Sequence, residues 1–144
     1  MRICRRRGVP GPTRGEPQAQ VSDHFWRAET ACRCGCGFAA ADSELLDVLE
    51  RMRTDLGQYP VRPTSWCRCQ EHNARVGGVD GSPHTLGLAV DFLVESVHAD
   101  AVAAYLEEMY PDRYGIGRYT GRTHLDVKPG LARRWDNRKR AEAE

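Results

Sequence analysis

Two sets of residues in this sequence are of types that do chemistry. The first is His84, Asp91 and His124. His84 stands in a Ser-Pro-His-Thr loop, Asp91 lies in an apolar run, and His124 is followed two residues on by Asp126. An ionised Asp among apolar neighbours is costly unless something cationic meets it. Two imidazoles and one carboxylate leave a fourth coordination position open, which is the ligand set of a catalytic zinc site. Spacing alone leaves a second reading open, a core or capping histidine beside an unrelated buried acid. The other set is sulfur. Cys32, Cys34 and Cys36 run as C-x-C-x-C, Cys67 and Cys69 flank Arg68, and Cys4 stands apart. Structural zinc sites usually space paired cysteines by two to four residues, and C-x-C is tighter. A second zinc held by thiols, a disulfide from the 32–36 loop to Cys67 or Cys69, and plain thiols all remain open. A catalytic cysteine is not expected, because the base it needs is better assigned to a metal.

Elements that must position these residues are legible in the pattern. Asp42 can cap a helix carrying Leu45, Leu46, Val48, Leu49, Met52 and Leu56 at helical spacing, stopped by Gly57. Val61–Ser65 reads as a short strand, 71–76 as a two-turn helix, and 88–94 as a strand. In that strand Leu88, Val90 and Phe92 share one face, and Ala89, Asp91 and Leu93 share the other. A second packing helix runs over 99–109. Strands at 114–119 and 123–127 are joined by a turn at Thr120-Gly121, so His124 and Asp126 point the same way. Gly77, Gly78, Gly81 and Gly87 are expected to shape the turns around His84, and Ser82 to bond locally within them. The mixture predicts an α+β domain, a small antiparallel sheet with helices packed on one side.

Composition narrows the class further. The chain has 144 residues, 21 Lys plus Arg against 20 Asp plus Glu, and a formal net charge of +1. That balance argues against a dedicated nucleic-acid binder. With 40% apolar residues a real core can form, and no run approaches the ~20 apolar residues of a membrane span. Residues 1–20 read as a disordered basic tail, 21–136 as the domain, and 137–144 as a charged extension. The arginines of the tail have no apolar run after them, so no secretory signal peptide is expected and the chain is expected to be made in the cytoplasm. A monomer is the expected state.

The run Ser65 to Phe92, S-W-C-R-C-Q-E-H-N-A-R-V-G-G-V-D-G-S-P-H-T-L-G-L-A-V-D-F, resembles the signature of the D-Ala-D-Ala carboxypeptidase-like zinc metallopeptidases. These peptidoglycan peptidases are related to vancomycin-resistance dipeptidases and to the hedgehog signalling domain. Their pattern continues in Gly115, Gly117 and Tyr119, then His124-Leu125-Asp126, then Arg134-Trp135. The upstream F-W-R-A-E-T-A-C-R-C-G-C-G resembles the start of phage-type and bacterial members. The resemblance implies a hedgehog/D-Ala-D-Ala peptidase-like fold, with His84, Asp91 and His124 as zinc ligands and Arg68 as the arginine that contacts substrate. It implies Zn as cofactor, peptidoglycan peptides as partners, and action on the cell wall by a phage or prophage enzyme. Two departures stand out. Many relatives carry an acid three residues before the last zinc-binding His, and here that position is Gly121, leaving Asp126 as base or as an orienting group. Trp66 and Cys67 replace a Gly and a Tyr, which would alter the pocket wall beside Arg68. A non-catalytic zinc module that binds wall peptides or a protein partner is the alternative.

Overall fold

The computed structural model describes residues 19–138. The arginine-rich tail to residue 18, with Cys4, and the last six residues of the C-terminal extension lie outside the described residues. A two-stranded hairpin, β1 (Gln20–Ser22) and β2 (Phe25–Trp26), leads into the single turn α1 (Arg27–Thr30). The helix α2 (Ser43–Asp55) starts where expected, because the Asp42 carboxylate accepts the N–H groups of Glu44 (2.9 Å) and Leu45 (3.3 Å). Then come β3 (Val61–Ser65), α3 (Gln70–Arg75), a 3-10 turn over Pro83–Leu86, β4 (Ala89–Val94), α4 (Ala99–Met109), β5 (Gly115–Tyr119), β6 (Arg122–Asp126) and β7 (Arg133–Asp136).

Five of these strands form one sheet in the order β3-β4-β6-β5-β7. Every pairing is antiparallel except the last, where β7 lies parallel to β5. Strand alternation gives the sheet two unlike faces. Val90, Phe92 and Val94 of β4, Ile116 of β5 and Leu125 of β6 join one buried cluster. That cluster takes in Leu45, Leu46, Leu49 and Met52 of α2 with Val102, Ala103 and Leu106 of α4, so both long helices cover the same face. Residues of the opposite parity, including Asp91, His124 and Asp126, face the other way. Among the described residues no helix is long and apolar enough to cross a membrane.

Two regions differ from the sequence reading. Arg133–Asp136, inside the expected domain but assigned no element there, is the edge strand β7. Arg138, beyond it, is held by ion pairs to Asp136 and Asp100. Trp66 and Cys67 do not line a pocket wall, because Trp66 is fully buried with its ring edge-on to Phe25 and Cys67 is 1% exposed. Both side chains are large or apolar enough to gain more from the core than from a surface cleft.

Candidate metal centre

Sheet register assembles most of the site in two adjacent rows. In the first row Asp91 of β4 lies directly opposite His124 of β6, His124 opposite Gly117 of β5, and Gly117 opposite Trp135 of β7. Ser65 of β3 extends this row on the far side of Asp91. In the second row Asp126 lies opposite Gly115, and Gly115 opposite Arg133. The missing side chains at the two glycines are what let the rows close. A Cβ on Gly117 would stand 2.4 Å from Trp135 ring atoms, and one on Gly115 would stand 2.2 Å from the Asp126 carboxylate. With both absent, Trp135 leans over the gap to within 4.8 Å of the His124 ring, and Arg133 reaches Asp126. The Trp135 indole N–H is tied down by the Tyr119 hydroxyl at 2.9 Å. The pattern Gly115-x-Gly117-x-Tyr119 is thus a steric clearance followed by an anchor.

His84 arrives from outside the sheet, on the 3-10 turn. Ser82 caps that turn by accepting the His84 N–H at 3.3 Å, as its sequence position suggests. The turn is stitched to the segment after β3 twice over. The Arg68 N–H donates to the His84 carbonyl (2.9 Å), and His84 Nδ1 lies 2.6 Å from the Trp66 carbonyl. A carbonyl only accepts, so Nδ1 donates to it, and Nε2 is the ring nitrogen that faces Asp91 Oδ2, 3.4 Å away.

One donor from each of His84, Asp91 and His124 lies within 4.8 Å of the others, and all three residues are buried. On His124 the two ring nitrogens have separate tasks. Nδ1 faces Asp91 Oδ1 at 2.9 Å, and Nε2 faces Asp126 Oδ2 at 2.8 Å. Burial by itself would depress the His124 pKa, but the bonds to Asp126 and Asp91 outweigh it and raise it above the ordinary value. Burial likewise works against ionised Asp91, yet its bonds to His124 and His84 hold it well below the usual carboxylate range. Asp126 behaves in the same way, held ionised by His124 and Arg133 against the cost of its burial.

The two other residues singled out in the sequence sit on either side of the three donors. Arg68 donates to Asp91 Oδ2 (3.1 Å), to the Ser65 hydroxyl (3.0 Å) and to Asn73 Oδ1 (3.3 Å), with 13% of its side chain exposed. It meets the Asp91 carboxylate, as the cost of a buried charge requires. Asp126 is fully buried behind His124. Its Oδ2 takes His124 Nε2 and Arg133 Nη1, and its Oδ1 takes the Lys128 N–H and Arg133 Nη2. Gly121, where relatives carry an acid, occupies the β5–β6 turn with φ +76°, and a Cβ there would meet open space.

Sequence reasoning missed Arg133, Trp135 in its position over His124, and Asn73. Asn73 is buried, donates to the Val79 carbonyl (2.9 Å) and accepts from Arg68. The signal for the first two was the pair of glycines in β5, because a strand without side chains at alternate positions must be clearing space for something on its neighbours.

The donor set suits a divalent metal such as zinc: two imidazoles and a carboxylate converge, and the second nitrogen of each imidazole is held by an oxygen acceptor. An α+β domain bearing such a set has the makings of a metal-binding protein. A family model described as Peptidase M15 matches residues 23–126. The chain belongs to the Peptidase M15 family, the zinc metallopeptidases that its motifs resemble. No curated protein matches the chain significantly.

Proposed function

We propose that this protein hydrolyses peptide bonds in peptidoglycan stem peptides or cross-links, at a D-amino-acid bond, using zinc held by His84 Nε2, the Asp91 carboxylate and His124 Nδ1. The observation that carries this reading is the convergence of these three donors on one sheet face, with each histidine fixed from behind. Zinc bound there supplies Lewis acidity to a peptide carbonyl and to water. The chain's own groups do the rest. Trp66 and Asp126 set the ring orientations of His84 and His124, so that the donors meet the metal without rotating. Arg68 is the residue that touches substrate: its guanidinium borders the donors and can bind a peptide carboxylate or the oxyanion as it develops. Its bonds to Ser65 and Asn73 hold the fork in place beforehand. Asp126 is a positioning residue in this account and not the general base, because it is fully buried and both its oxygens are engaged. The cell wall is the proposed place of action.

Those same facts about Asp126, with Gly121 in the turn, favour a second reading, a zinc module that binds wall peptides without cutting them. Zinc-loaded protein incubated with monomeric and cross-linked peptidoglycan fragments separates the two. The proposal expects new peptide termini by mass spectrometry, abolished by His84→Ala. Arg68→Lys should cut more slowly, since an ammonium does not reproduce the planar fork. Intact fragments with metal fully bound would leave the binding module as the function.

A further inference from the structure

The cysteines gather at a second place, and their geometry differs from that of paired thiols. Cys32, Cys34, Cys36 and Cys69 bring their sulfurs within 4.8 Å of one another. Three of the separations are 3.3 Å (Cys32–Cys34), 3.7 Å (Cys34–Cys69) and 3.8 Å (Cys32–Cys69). A disulfide requires about 2.05 Å. Four sulfurs each about 2.3 Å from a central tetrahedral metal stand about 3.8 Å apart along every edge. The Cys34–Cys69 and Cys32–Cys69 separations match that edge, Cys32–Cys34 is shorter, and Cys36 lies within 4.8 Å of the other three.

Backbone chemistry around the cluster suits thiolates. The N–H of Cys69 points at Cys32 Sγ (3.4 Å), that of His72 at Cys69 Sγ (3.3 Å), and that of Phe38 at Cys36 Sγ (3.4 Å). Such donors favour charged sulfur. Cys67, two residues from Cys69, gives the contrast. It is buried, donates its S–H to the Phe38 carbonyl (3.1 Å), and takes no part in the cluster. The tight C-x-C-x-C spacing is accommodated by Gly35 and Gly37, which adopt φ +81° and +87° and curl the loop so that alternate side chains turn inward.

We propose that Cys32, Cys34, Cys36 and Cys69 form a closed tetrathiolate site for a structural zinc ion, separate from the His84–Asp91–His124 centre. Four protein ligands leave no open position, so this ion does no chemistry. Binding exchanges the thiol protons for the metal. Its work is to pin the 32–36 loop to Cys69, the residue that follows Arg68 and caps α3. The assignment stands whether or not the protein cuts peptides.

Full-length protein prepared with zinc, then exchanged with cobalt, tests it. The expected result is about two zinc ions per chain and a thiolate-to-cobalt charge-transfer band. His124→Ala should fall to about one ion and keep that band, whereas Cys34→Ser and Cys69→Ser should fall to about one and lose it. Cys67→Ser should keep both ions. Zinc-edge X-ray absorption on the unaltered protein covers the case in which a cysteine variant fails to fold: a sulfur shell at about 2.3 Å is expected. Absence of any sulfur shell, or disulfides among these four cysteines in the zinc-prepared protein, would overturn the proposal.

Discussion

The histidine–aspartate centre and the sulfur cluster sit at opposite ends of one short segment, yet they are built by different means. At the first, two donors come from directly opposed positions on β4 and β6, and the third from a turn stitched to residues 66–68. Every donor there is oriented by a second residue: His84 by the Trp66 carbonyl, Asp91 by Arg68 and His124 by Asp126. At the second, three donors come from a five-residue loop and the fourth from the cap of α3, with backbone N–H groups and two left-handed glycines doing the orienting. A sheet holds donors at distances set by its register, which suits a site that must stay open. A loop wrapped round an ion has its shape from that ion, which suits a closed tie. Arg68 lies between the two: its backbone joins Cys67 to Cys69, and its side chain reaches Asp91.

Removing a donor should break the comparison most sharply. His124→Ala is expected to abolish peptide hydrolysis and the metal at that centre while thermal unfolding changes little compared with Cys34→Ser. The reverse is expected of Cys34→Ser, whose main effect is a lowered melting temperature that added chelator does not lower further. Replacing a support rather than a donor should give a graded loss. Asp126→Asn keeps the shape but weakens the hold on His124 Nε2, and metal affinity at that centre should drop by about 10–100-fold in a chelator competition. The sulfur-bound ion should be unaffected. Filling a cleared row is a smaller perturbation. Gly117→Ala puts a methyl against Trp135 and should cost about 1–3 kcal/mol in denaturant unfolding, with reduced activity as Trp135 is pushed from His124. The smallest effect belongs to a site remote from both. Asp42→Ala removes the cap of α2 and should cost about 1 kcal/mol of stability, leaving the zinc content and the cleavage pattern unchanged.

Most of the scaffold could be read from residue spacing. α2 and α4 repeat apolar residues at helical intervals, and β4 to β6 alternate, so parity alone put His124 and Asp126 on one face. The face of Asp91 followed in the same way. What escaped were elements too short or too charged to show a period. β1 and β2 are three and two residues long, and β7 reads Arg-Arg-Trp-Asp, a run whose strand character comes from pairing with β5 and from Asp126 drawing in Arg133. Trp66 and Cys67 were misread for a related reason. A segment following a strand carries no clear parity, and burial there is decided by Phe25 and the 38–40 backbone, which lie far away in sequence. The sulfur cluster was legible in its members but not in its partner, since nothing local distinguishes Cys69 from Cys67. Only the direction of the chain after Arg68 sends one sulfur to the loop and the other into the core.

The most direct test is anomalous diffraction at the zinc edge from crystals of the zinc-loaded protein. A peak bounded by His84 Nε2, the Asp91 carboxylate and His124 Nδ1 is expected, with His124 Nε2 still on Asp126. A zinc-loaded crystal without density there, or with the metal on His124 Nε2 and Asp126 displaced, would contradict that ligand set.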